Sequence, residues 1–176
     1  YSFLKTATEQ DKGSLEAARY LAAAAEAVQR YPEAYRIYEQ LHERHPEDTF
    51  RVAMGRISFK QNEPRAITHL EKAISSQGIK GYLLSEALYY RGLLHEEGKS
   101  FSDALDCYQK ALAASPSELA ADIHHRTGMI HYQNEEIAKA LEHLQVACRS
   151  IAKDPELFNI AGKCHVSLKR SEERRV

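Results

Sequence analysis

The sequence predicts an all-α protein, an α-solenoid of antiparallel helix-turn-helix repeats closed by a terminal capping helix. Two observations carry that prediction. The first is scarcity of turn formers, since eight Gly and five Pro in 176 residues leave little room for a loop-rich β fold. Hydrophobic residues at 43% and charged residues at 28% are a globular balance that argues against wholesale disorder. The second is a ruler of small residues. In "ALYYRGLLHEEGKSFSDALDCYQKALAASP", residues 87–116, Gly92 is followed by Ala104 twelve positions on, then by Tyr108, Ala111 and Pro116.

The same ruler recurs along the chain. Ala22 leads to Ala34, Tyr38, Leu41 and Pro46 at identical intervals, and Gly128 leads to Ala140, Leu144 and Ala147, with Pro155 three residues late. Gly55 leads to Ala66, Leu70, Ala73 and Gly78, one residue short between the helices, and Gly162 opens a fifth unit 34 residues after Gly128. A glycine inside a helix costs about 1 kcal/mol relative to alanine. That loss is tolerated where a second helix must approach closely, with a large residue such as Tyr108 filling the gap between two alanines. Pro46 and Pro116 end the second helix of their units, because proline lacks an amide proton and turns the preceding residue away from helical angles.

Taken in order, helices are predicted near 14–29, 32–44, 47–60, 64–76, 82–97, 101–114, 118–133, 137–152 and 155–170. They group into repeats at 14–46, 47–80, 82–116 and 118–153, then a half repeat or cap at 155–170. Residues 1–13 read as an N-terminal arm or the end of a preceding helix, and 171–176 as a solvated tail. Ala66 to Ala104 spans four residues more than the 34 of a regular unit, so "QGIKGY" (77–82) marks a local irregularity. Each unit leaves one apolar face uncovered, so neighbours must stack.

Composition also narrows the function. A net charge of −1 and a pI near 6.8 provide no field to draw nucleic acid or an anionic membrane. The apolar run "YLAAAAEAVQ" is broken by Glu26 and lacks a basic segment before it, unlike a signal peptide or a membrane span. Cys107, Cys148 and Cys164 are odd in number, form no CxxC pair and fit apolar helical positions, which favours a reducing, cytoplasmic setting. A chain opening with Tyr1 in place of Met reads as a processed product or an excised segment.

Catalytic and metal chemistry find little support. His124, His125 and His131 share a helix, but His124 and His131 are two turns apart, about 10 Å along the axis, too far to hold one zinc ion. Cys164 and His165 are adjacent and point in different directions, so the thiol lacks a base. No phosphate-binding glycine loop is present, and the acid pairs Glu96–Glu97 and Glu135–Glu136 fall at helix ends or turns. No cofactor, metal or catalytic residue is expected.

The intervals resemble the tetratricopeptide repeat, a helix-turn-helix unit of about 34 residues, although no unit has the pattern's tryptophan and His95 stands where Tyr is usual. The resemblance covers roughly residues 15–170. It implies a right-handed solenoid whose first helices, one per repeat, line a concave groove that holds a partner's segment. Stepping along that face from each small residue gives Glu16, Arg19, Ala23 and Glu26; Thr49, Val52, Arg56 and Phe59; Glu86, Tyr89, Leu93 and Glu96; Asp122, His125, Met129 and Tyr132; and Glu156, Asn159, Lys163 and Val166. From these, Arg19, Arg56, Phe59, Tyr89, Leu93, His125, Met129, Tyr132, Asn159 and Lys163 are the candidate partner-binding residues. Six acids against three bases flank an apolar strip suited to an amphipathic or extended peptide. The cationic clamp by which chaperone-binding members of the family grip a terminal carboxylate is not expected, because Arg19, Ala23, Val52, Glu86 and Tyr90 occupy its face. The resemblance thus implies a non-catalytic interaction scaffold for a protein or peptide, within a larger assembly; a structural spacer or self-association module is the alternative.

Overall fold

A computed structural model describes residues 14–115, 118–150 and 154–173. The arm at 1–13, Pro116, the end of the predicted eighth helix at 151–152 and the last three tail residues lie outside them. Nine helices and no strand occur among the described residues: α1 Leu15–Ala27, α2 Tyr31–Arg44, α3 Asp48–Lys60, α4 Arg65–Ile74, α5 Gly81–Glu97, α6 Phe101–Ala114, α7 Ala120–Gln133, α8 Ile137–Ser150 and α9 Pro155–Glu173. The helices pair in order, α1 with α2, α3 with α4, α5 with α6 and α7 with α8, and α9 closes on α8. The first helix of each pair is called helix A and the second helix B.

The small-residue ruler is a packing rule. A methyl group on Gly92 would lie 2.5 Å from Tyr108 Cε1, one on Gly55 would lie 2.7 Å from Leu70 Cγ, and one on Gly128 would lie 2.7 Å from Leu144 Cγ. Each is closer than carbon atoms can approach. In the first unit Ala22 is buried in the same cluster as Tyr38. Helix A therefore gives up a side chain so that helix B can seat a large one, and Ala66, Ala104, Ala140 and their partners Ala73, Ala111 and Ala147 are fully buried on either side.

Local signals set the ends. Ser14 Oγ accepts from the Ala17 amide at 3.2 Å and caps α1, while Asp154 Oδ1 accepts from the Glu156 and Leu157 amides at 3.0 and 3.2 Å and caps α9. Every turn from helix A to helix B has the same form. Gln29, Asn62, Lys99 and Glu135 take positive φ between 54° and 62°, and the next amide reaches back to close the helix, as Ser100 N does to His95 O at 2.8 Å. α9 runs on to Glu173, beyond 170, because "KRSEE" contains neither Gly nor Pro to stop it. In the irregular segment 77–82, Ile79 is buried with Val52, Leu70, Ala73 and Ala87, which anchors the longer connection to the second unit.

The core is divided along the array. Ala22, Tyr38, Phe50 and Ile57 belong to one cluster, Leu88, Tyr108, Ile123 and Ile130 to another, and Ala140, Leu144, Leu157 and Cys164 to a third. Each joins a unit to the helix A that follows it. Stability is therefore a sum over nearest neighbours.

Candidate functional site

Successive A helices from α1 to α7 meet along one face, and side chains of opposite charge cross from each of these to the next. Arg56 on α3 donates to Glu26 of α1 through Nε and Nη2, at 2.7 and 2.6 Å, and through Nη1 to Glu86 of α5. Lys60 Nζ joins Glu26 at 3.0 Å. Burial alone would raise the Glu26 carboxyl, but hydrogen bonds and charge from Arg56, then Lys60, outweigh it and hold it below its ordinary range. Burial would likewise weaken the Arg56 guanidinium, yet Glu26 and Glu86 together hold its proton more firmly than usual.

A second bridge joins α5 to α7. The Tyr89 hydroxyl donates to Asp122, Arg126 Nε donates to the same carboxylate at 3.1 Å, and Arg126 Nη1 reaches Glu96 at 3.3 Å. Glu96 also accepts from the Tyr108 hydroxyl at 2.7 Å, tying the bridge to helix B. Burial, and then the carboxylates they bond, push the Tyr89 and Tyr108 phenols well above their ordinary value. Burial pushes Tyr90 up to about 12.

Two clefts open on this face. One of about 420 Å³ is lined by Glu26, Tyr31, Tyr38, Arg56 and Lys60 among others. The other, about 200 Å³, is lined by Phe59, Leu93, Glu96, Glu97 and Arg126, so α3, α5 and α7 all contribute to it.

The candidate residues divide by position. Arg56, Phe59 and Leu93 line the clefts, though Phe59 also stacks edge-on against Tyr90 with ring centroids 5.6 Å apart. Tyr89 is 7% exposed, and its ring packs against Tyr90 and Tyr108; Leu93 is 5% exposed in the same cluster. Met129 and Tyr132 pack against the cluster shared by α8 and α9, and His125 is half-buried on α7. Arg19 is exposed on α1 with its guanidinium 5.6 Å from the Phe50 ring, and Asn159 and Lys163 are exposed on α9. Sequence reasoning passed over Arg126 and Lys60. A signal existed, because Glu26, Arg56 and Glu86 are spaced by 30 residues and Glu96 and Arg126 by 30 again.

The histidines also find partners across helices. His124 and His143 place their Nδ1 atoms 2.9 Å apart, and His131 stacks on His143 with ring centroids separated by 5.7 Å. Among the described residues no group of three or more His, Cys, Asp or Glu is arranged to hold a metal ion, and no helix is long and apolar enough to cross a membrane. The three cysteines are free, and burial raises each thiol.

Residues 85–118 match the family model of the tetratricopeptide repeat. The fold is a tetratricopeptide repeat array. Solved structures agree over most of the chain: MamA superposes with a TM-score of 0.66 at 18% identity, covering 84% of each chain. YrrB, described as a TPR protein with an unusual peptide-binding site, superposes at 0.67 and 18% identity over 94% of this chain and 84% of its own. A chain of the APC/C hetero-tetramer Cut9–Hcn1 reaches 0.77 at 13% identity, covering 96% of this tetratricopeptide array and 33% of that longer chain. The chain has no match among curated protein sequences.

Proposed function

We propose that this tetratricopeptide array is a non-catalytic scaffold that binds a partner's peptide segment or subunit along the face made by its A helices. The observation that carries the reading is the cleft lined by Phe59, Leu93, Glu96, Glu97 and Arg126, to which three successive repeats contribute. Two of its charged groups, Glu96 and Arg126, hold one another before any partner arrives, so little of their side-chain entropy is lost on binding. Arg126 is the more accessible cation, its side chain 35% exposed against 21% for Arg56, and is placed to receive a partner carboxylate or carbonyl while Phe59 offers apolar contact. Arg19, at one end of the array, and Asn159 and Lys163, at the other, extend the surface for a longer segment. A peptide-binding site in YrrB and a multi-subunit assembly in Cut9–Hcn1 support the reading by analogy of fold. The free cysteines suit a reducing compartment such as the cytoplasm.

The test is selection of binders from a random peptide library displayed on phage, followed by calorimetric titration of the selected peptide. The double variant Phe59→Ala with Arg126→Gln should weaken binding at least tenfold while retaining the helical spectrum. Ile67→Ser, an exposed position on α4, should leave it unchanged. The opposite pattern would move the site to the B helices and refute the reading.

A further inference from the structure

We propose that the junction between the third and fourth repeats is a binding cleft for a small carboxylic acid with an apolar body. The cleft, about 530 Å³, lies between α6, α7 and α8, and none of its lining residues belongs to the two clefts on the A-helix face. It opens where a filler is missing. The residue just before the A-helix glycine is Met54 in the second unit, Arg91 in the third and Thr127 in the fourth. At the first junction Met54 is 3% exposed in one cluster with Tyr35, and the Tyr35 hydroxyl meets His69 Nε2 across α2 and α4 at 3.0 Å. At the second, Arg91 Nη2 reaches from α5 to within 3.8 Å of Glu71 on α4. At the third, Thr127 is too short for such a bridge, and the uncharged Gln109 stands where the preceding repeat has Glu71.

The walls define the ligand. Leu105 and Leu112 of α6 supply an apolar side, while His131 of α7 and Lys139 and His143 of α8 supply nitrogen donors, and no acid lines the cleft among the described residues. His143 meets His124 through Nδ1 and His131 meets Glu136 through Nδ1, which leaves Nε2 of both rings without a partner among the described residues. The hydroxyl of Thr127, a residue 7% exposed, has no partner either. A threonine in a helix has two staggered positions open to it, so this hydroxyl can turn towards an acceptor in the cleft. A carboxylate would accept from Lys139, an imidazole and Thr127 while its hydrocarbon part lies on the leucines. The acids nearby are Glu136, bonded to His131 and 3.3 Å from Lys139, and Glu142, which acts on His124 and His143. Burial, then charge on His124 and His131, keeps His143 below its ordinary value, so an incoming anion favours proton uptake by that ring.

The probe is hydrocinnamate, with its amide as the uncharged counterpart, titrated into the isotope-labelled intact chain and followed by amide chemical shifts. The acid should saturate with shifts around Leu105, Thr127 and His143, and the amide should bind at least tenfold more weakly. Thr127→Met, which restores the filler of the first junction, should cut affinity at least tenfold without lowering the urea midpoint. Lys139→Glu, at a side chain 61% exposed, should cut it severalfold. Affinity should rise severalfold between pH 7.5 and pH 6, and that rise should vanish in His143→Gln. Phe59→Ala with Arg126→Gln, on the A-helix face, should change none of this. Absence of saturable binding, equal affinity for acid and amide, or indifference to both Thr127→Met and Lys139→Glu overturns the proposal. So does a peptide ending in a free leucine carboxylate that binds tenfold more tightly than the acid, which would give the cleft to a protein terminus.

Discussion

Gly92 and Gly162 are the same residue at equivalent points of two A helices, and opposite outcomes are expected when each becomes alanine. Alanine is the better helix former by about 1 kcal/mol. At Gly162 the added methyl meets nothing, so Gly162→Ala should raise stability by up to that amount; at Gly92 it meets the fully buried Tyr108 ring, and overpacking should cost about 1–3 kcal/mol. Urea midpoints of the two variants check the sign. The histidine pair sets a second expectation. Burial lowers both His124 and His143 below their ordinary value, and His143 is lowered further by charge on His124 and His131. Glu142 works in the other direction on both, and Glu136 bonds His131. A base whose folded pKa is depressed takes up protons more readily when unfolded, so this contribution is intact above about pH 6.5 and is lost as pH falls below it. Two imidazolium rings also cannot share the Nδ1–Nδ1 contact, which needs one donor and one acceptor. His143→Gln should therefore flatten the fall in urea midpoint between pH 7.5 and 5.5.

Between elements, Arg56 joins three A helices. Its side chain is 21% exposed and it neutralises two carboxylates whose side chains are 10% and 7% exposed. Removing one partner of a buried pair strands the others, and Arg56→Ala should cost about 2–3 kcal/mol. The deficit should narrow from pH 7 to pH 5, because without the guanidinium the buried Glu26 takes up protons more readily; a deficit that widens over that range would contradict the bridge. These bridges also mark where the sequence could be read and where it could not. Helix pairing was legible because a glycine under a Tyr or Leu fifteen or sixteen residues later is a steric requirement written in residue size. The left-handed turns were not, since Gln29, Lys99 and Glu135 have no strong preference for positive φ and take it because the returning amide closes the helix. Arg126 was missed for a related reason. Stepping by fixed intervals from Gly128 selects His125 as the residue on the inner face, whereas the long arginine side chain at the next position bends back to Glu96.

At the scale of the molecule, five A helices among the described residues share one face and four B helices each fill a seat beside it, so binding and stability draw on different side chains only in part. Tyr89 shows the overlap, with its ring in the core and its hydroxyl on Asp122 in the bridge between repeats. Leu93 likewise lines a cleft from within a buried cluster. For that reason the face was only partly legible: residue type placed Arg56, Phe59 and Leu93 on it, but how much of each ring or chain remains accessible is decided by the neighbouring repeat. The central claim is that this face, and not the B helices, receives the partner. Amide chemical-shift mapping of the isotope-labelled chain titrated with a selected peptide tests it most directly. Perturbations concentrated on α3, α5 and α7, around Phe59, Leu93 and Arg126, are the expected result; perturbations confined to α2, α4, α6 and α8 would contradict it.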